Sequence, residues 1–181
     1  MNRRLILVAI IVTAFLCSTL GQLWLRRTPA VQTGRDANEP GPYARIVSLA
    51  PSITEVLFKL ELDERIVGVT RYCKHPAAAL EKPQVGSYLS PNYEAIVALR
   101  PDLVLTLPEH AAEEEALTAL GIHWDRLDHR SVAGIVASIR QVGQLTDENE
   151  RAQVFAQDLE RRIARVQQLT LGHRRPRVLI S

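Results

Sequence analysis

The chain has 181 residues, 46% of them hydrophobic but only 5% aromatic, and a formal charge of +2. That length and aliphatic bias suit a single α/β domain with extensions. So small a charge, with no Lys/Arg stripe interleaved with aromatics, argues against nucleic acid as a partner. Cys17 falls in an apolar leader and Cys73 stands alone, so the cysteines cannot build a disulfide framework.

Residues 1–27 read as an export leader. Arg3-Arg4 is a basic start, and Leu5 to Leu16 is apolar apart from Thr13. Thr19-Leu20-Gly21 has the small-residue spacing for cleavage after Gly21. The uncharged run also extends to Leu25, about the length that spans a bilayer, with Trp24 and Arg26-Arg27 suited to its interface. A cleaved signal and an uncleaved membrane anchor both fit, and both export the body of the chain. Residues 28–43 are polar, rich in Gly, Pro and Asn, and without periodicity, as in a tether.

Arg45 to Ala50 reads as the first strand. Ser52, with Glu55 three residues on, has the spacing of a capping box, and Ile53, Val56, Leu57 and Leu60 share one face of the helix that follows. Ile66 to Thr70 is a second strand, giving a right-handed βαβ unit. An irregular loop, Arg71 to Lys82, leads to a short strand at Pro83–Gly86 and a turn-rich loop with Tyr88 at its tip. Asn92 is a good N-cap, Glu94 sits in the first helical turn, and Arg100-Pro101 stops the helix. Asp102 to Leu107 is a nearly continuous apolar run, the mark of a strand buried on both faces.

Ala111 to Leu120 is helical and closed by Gly121, with Glu113-Glu114-Glu115 as a solvated face. Ile122 to Leu127 is a strand in which His123 is packed. Ser131 opens a helix to about Val142, with Ile135, Ile139 and Val142 inward. From Asp147 a long helical pattern runs through Val154, Leu159, Ile163, Val166 and Leu169. Pro176 breaks it, and Arg177 to Ile180 reads as a new strand. Residues 44–146 thus form a three-layer α/β lobe, a parallel sheet with flanking helices, and residues 147–172 a long spine helix.

The stretches RIVSLAPSITEVLFKLELDERIVGVT and VGSYLSPNYEAIVALRPDLVL carry a likeness that spans about Arg45 to Leu171. They resemble the N-terminal lobe of periplasmic substrate-binding proteins for cobalamin, iron-siderophores and haem, which serve ABC importers. The resemblance implies a non-enzymatic role: capture of such a ligand in the cell envelope and delivery to permease subunits. It implies that the long helix is a spine between two lobes and that residues 173–181 begin a second lobe that is missing. The apolar side of the spine would then be partly uncovered, and the cleft would have one wall.

Ligands of open α/β sheets bind beyond the carboxyl ends of the strands. Four loops leave strand ends, at 50–52, 71–73, 86–90 and 107–110, and these should line one edge. Tyr72 and Tyr88 offer flat amphipathic surfaces to a large planar ligand, or simply cap the sheet edge. The resemblance puts Pro51 and Ser52 at the cleft and extends the contact surface to Ser87, Pro108 and Glu109. It also implies that Glu94, in Asn92-Tyr93-Glu94-Ala95-Ile96, projects from the lobe tip and docks on an arginine pocket of the permease; the plainer reading is a first-turn Glu on the helix dipole.

His75, His110, His123, His129 and His173 show no pair at ligand spacing, so neither a metal nor a resident cofactor is expected. No GxGxxG, P-loop lysine, GxSxG or HExxH occurs. Competing readings are a truncated or scaffolding lobe without binding activity, and a hydrolase using Cys73 with His75.

Overall fold

The computed structural model describes residues 43–173, 177 and 179. The leader and the tether to residue 42 lie outside the described residues. Of the expected last strand, Arg177 and Leu179 carry no strand structure, and Val178 and Ile180 lie outside the described set.

Four short strands form one parallel sheet: β1 (Ile46–Ser48), β2 (Ile66–Val69), β3 (Leu103–Thr106) and β4 (Trp124–Arg126), in the order β2-β1-β3-β4. In register, Ile46 lies beside Leu103 and Val104 beside Trp124. Alternation along the strands divides the core into two faces. Ile46, Leu103 and Leu105 join the cluster beneath α1 (Pro51–Lys59), α4 (Val132–Thr146) and α5 (Asn149–Thr170). Val47 and Val104 join the opposite cluster beneath α2 (Tyr93–Leu99) and α3 (Ala111–Ala119). β1 and β3 are buried throughout, which is why their sequences read as apolar runs rather than alternating ones.

The order reverses between β1 and β3. The chain winds from β1 outward to β2, then crosses over to build β3 and β4 on the other side. That switch point leaves a crevice at the carboxyl ends of β1 and β3.

Several local expectations are corrected. Ser52 is not the N-cap of α1. Pro51 occupies the first helical position, where its missing N–H costs nothing, so Ala50 becomes the cap and no side-chain cap bond forms. The Pro83–Gly86 strand shrinks to two isolated bridges, Gln84 with Val69 and Gly86 with Pro91. His123 precedes β4 and is exposed, stacked on Tyr43 at 5.3 Å. Glu114 is only 3% exposed. Its carboxylate accepts hydrogen bonds from Thr106 Oγ1 at 2.7 Å and Arg126 Nε at 2.8 Å, and pairs with Arg126 Nη2 as well. Burial alone would push this carboxyl up; the bonds from Arg126 and Thr106 outweigh it and hold it below the usual carboxylate range.

Candidate functional site at the carboxyl edge of the sheet

The loop after β3 is fixed by a buried histidine. Leu107 N–H donates to His110 Nδ1 at 2.9 Å, so Nδ1 carries no proton. The proton sits on Nε2, which donates to the Tyr88 carbonyl at 2.8 Å. The His110 ring is wholly buried and meets the Tyr88 ring edge-on at 4.8 Å. One side chain therefore ties the Leu107–His110 turn to the tip of the 86–91 loop.

That second loop is a tight reversal. Ser87 N–H donates to Ser90 O at 3.0 Å, and Gly86 bridges Pro91. Gly86 has φ +99, and a Cβ there would lie 2.6 Å from Asn92 N and 2.8 Å from Ser90 O, so only glycine fits. Arg71 N–H donates to Gly86 O at 3.0 Å, bringing the loop after β2 alongside. Tyr72, next in the chain, is 51% exposed, with the Arg71 guanidinium 5.4 Å over its ring.

A fifth loop joins the rim, one that the sequence reasoning passed over. His129, after β4, meets Ser52 Oγ through Nδ1 at 2.8 Å and so bridges the starts of α1 and α4. Its Nε2 is buried with no partner among the described residues. Burial pushes this imidazole down, against smaller opposing pulls from Asp128 and Glu109. Bonds from Arg130 hold the Asp128 carboxyl well below its usual range. The charge of Glu109 acts on Tyr88, His129 and Arg130, in each case less strongly than burial or a nearer partner. Burial first and Glu109 second push the Tyr88 phenol up. The missed signal was parity: every strand of a parallel sheet delivers a loop to the same edge, so 128–130 belonged with the other four.

Ser52, Tyr88, Glu109 and His129 are thus linked by contact or charge, and Tyr72 by the backbone bond of its neighbour. Pro51 begins α1 beside Ser52, Pro108 sits in the turn that His110 holds, and Ser87 starts the glycine-pinned reversal. Glu94 is exposed in the first turn of α2, whose cap Asn92 accepts from Ala95 N–H at 3.0 Å. Cys73 is 2% exposed, and its sulfur contacts the Thr54 and Thr70 hydroxyls at 3.2 Å each. A thiol so enclosed cannot reach a substrate, which removes the structural basis for a Cys73–His75 nucleophile. No group of three or more His, Cys, Asp or Glu side chains is placed to hold a metal among the described residues.

From the Ser52–His129 pair an apolar groove of about 840 Å³ runs between α1, α4 and α5, floored by Val56, Ile139, Phe155 and Leu159.

A family model described as periplasmic binding protein matches residues 46–180. This chain belongs to the periplasmic binding protein family. The vitamin B12-binding protein of Pectobacterium atrosepticum is 31% identical over 132 residues, which make up 72% of this chain and 47% of that protein. The crystal structure of the periplasmic vitamin B12-binding protein of Vibrio cholerae superposes with a TM-score of 0.69 at 28% identity, covering 75% of this chain and 54% of the other. The periplasmic heme-binding protein BhuT, solved with two hemes, superposes with a TM-score of 0.65 at 26% identity, covering 70% and 50%. The chain spans about half the length of these family members. The parallel sheet with flanking helices is the fold they share with it. Among the described residues no helix is long and apolar enough to cross a membrane.

Proposed function

We propose that this chain is a solute-capturing lobe of an ABC importer, taking cobalamin, or a ferric siderophore or haem-type ligand, at the rim beyond β1 and β3. The observation that carries the reading is the tie from Leu107 through His110 to Tyr88. It ties an aromatic-tipped loop to the turn after β3, and ligands of such sheets bind beyond the carboxyl ends of the strands. A binding site does best when its contacts are fixed before the ligand arrives. Tyr88 and Tyr72 supply flat surfaces for a broad ring system. Pro51, Ser52, Ser87, Pro108 and Glu109 supply the surrounding wall. Glu94 is the docking acid, an exposed carboxylate for a basic pocket on the permease. Export through residues 1–27 puts the lobe in the periplasm or, if residues 5–25 stay as an anchor, on the outer face of the membrane.

Equilibrium dialysis against cyanocobalamin, hemin and a ferric siderophore, read by each ligand's own absorbance, tests the reading. Saturable retention of one of them, weakened about tenfold by Tyr88→Ala, is expected; tenfold is about 1.4 kcal/mol, the scale of one lost aromatic contact. Retention of none of the three refutes it. Glu94→Lys should leave retention intact and abolish delivery to the permease.

A further inference from the structure

The ring of His129 has a polarity that the capture reading does not use. Nδ1 lies 2.8 Å from Ser52 Oγ, while Nε2 is buried with no partner among the described residues. The carboxylate next in sequence, Asp128, is taken by Arg130, whose backbone N–H and guanidinium donate to it at 2.7 to 3.1 Å. Burial pushes the imidazole down, so at neutral pH the ring is uncharged and carries one proton.

Two tautomers are open to it. With the proton on Nε2, an N–H is buried without an acceptor, and Nδ1 accepts the Ser52 hydroxyl proton. With the proton on Nδ1, the ring donates to Ser52 Oγ, and only a ring lone pair goes unmet. Folded chains leave buried N–H groups unpaired more rarely than buried acceptors, so the second tautomer is the cheaper.

The choice decides what Ser52 can do. Ser52 is exposed in the first turn of α1, and its hydroxyl meets no group but His129 among the described residues. When His129 donates to the oxygen, the hydroxyl's own proton is left for whatever arrives at the rim. Ser87, the other serine of the proposed wall, differs: its Oγ donates to Ser90 O at 3.4 Å.

We propose that His129 is a positioning residue for ligand capture: its Nδ1–H fixes the Ser52 hydroxyl as a donor to an acceptor oxygen of the ligand, a carbonyl or a carboxylate. This role rests on the capture reading above and adds the polarity of one contact to it. His129 itself, with Nε2 enclosed, does not touch the ligand.

Nitrogen–proton correlation spectra of the histidine rings, in the labelled full chain in detergent at neutral pH, read the tautomer directly; the signal lost in His129→Asn identifies the ring. A proton on Nδ1 is expected, and a proton on Nε2 overturns the proposal. Equilibrium dialysis against cyanocobalamin, hemin and a ferric siderophore reads the contact. His129→Asp offers Ser52 only acceptors and turns its proton inward. It should weaken retention of the ligand that the parent holds by about tenfold, the loss of one hydrogen bond. His129→Asn has the same shape and still has an N–H to donate, so it should recover most of that loss. With Ser52→Ala in place, exchanging asparagine for aspartate at 129 should change retention by less than about twofold, because no hydroxyl remains to turn. The circular dichroism of each variant should match the parent. Equal losses for aspartate and asparagine would give His129 a structural role, and an aspartate loss that persists without the Ser52 hydroxyl would be an effect of charge. Either overturns the proposal while the capture reading stands. Retention of none of the three ligands by the parent refutes both.

Discussion

Replacing His110 separates two jobs that one ring performs. His110→Ala leaves the Leu107 N–H buried with no acceptor, at a cost of about 1–3 kcal/mol, and strips a donor from the Tyr88 carbonyl, which water partly replaces. The ring also leaves a void at a fully buried position. Together the loss should be about 2–5 kcal/mol, a large share of the 5–15 kcal/mol that holds a typical domain. Asparagine and glutamine divide the effect. His110→Asn puts an acceptor near the Nδ1 position, keeping Leu107 satisfied while releasing Tyr88. His110→Gln puts a donor near the Nε2 position and does the reverse. Urea unfolding should therefore rank glutamine as the more damaging of the two, through the midpoint with an unchanged slope. Hydrogen exchange should rank them oppositely at the Ser87 amide, whose bond to Ser90 depends on the loop tip staying in place. Equal losses for asparagine, glutamine and alanine, with no change at Ser87, would show that the ring merely fills space.

Other outcomes follow from the same geometry. Glu114 has its carboxyl held below the ordinary range, so the stability that it contributes is present above that range and lost as pH falls through its folded value; Glu114→Gln should flatten acid unfolding below about pH 4.5. His129 is the opposite kind of group: burial depresses its imidazole, so the unfolded chain takes up a proton first. Stability should drop as pH falls below about 6.5, and His129→Asn should remove that slope. Gly143→Ala would set a Cβ 2.4 Å from the Ala152 Cβ and push α4 from α5, costing about 1–3 kcal/mol in thermal unfolding. Gly121→Ala, with φ +68 but nothing within 4 Å, should cost only the backbone strain of about 1 kcal/mol.

Much of the fold was legible because it is local. The apolar runs at 45–50 and 102–107 hold β1 and β3, trimmed at their ends, and Asn92 and Ser131 cap α2 and α4 through bonds to Ala95 and Gly134 N–H. Where the reading failed, distant partners had decided. The Ser52–Glu55 spacing looked like a capping box, but Pro51 starts the helix earlier and the Ser52 hydroxyl turns to His129, 77 residues away. Glu114 sat in an acidic run that reads as solvated, yet Thr106 and Arg126 draw it inward from strands on either side of α3 in sequence. His110 looked like one more rim histidine; its clamp depends on Tyr88, 22 residues back, which no local pattern announces.

In the proposed function, ligand is taken at the carboxyl edge beyond β1 and β3. Hydrogen exchange of the full chain with and without the best-retained ligand tests it most directly. Slowed exchange at 50–52, 86–90 and 107–110, with the outer ends of the strands unchanged, is the predicted footprint. Slowing confined to the groove along α5, or a bound ligand that slows none of these loops, would contradict it.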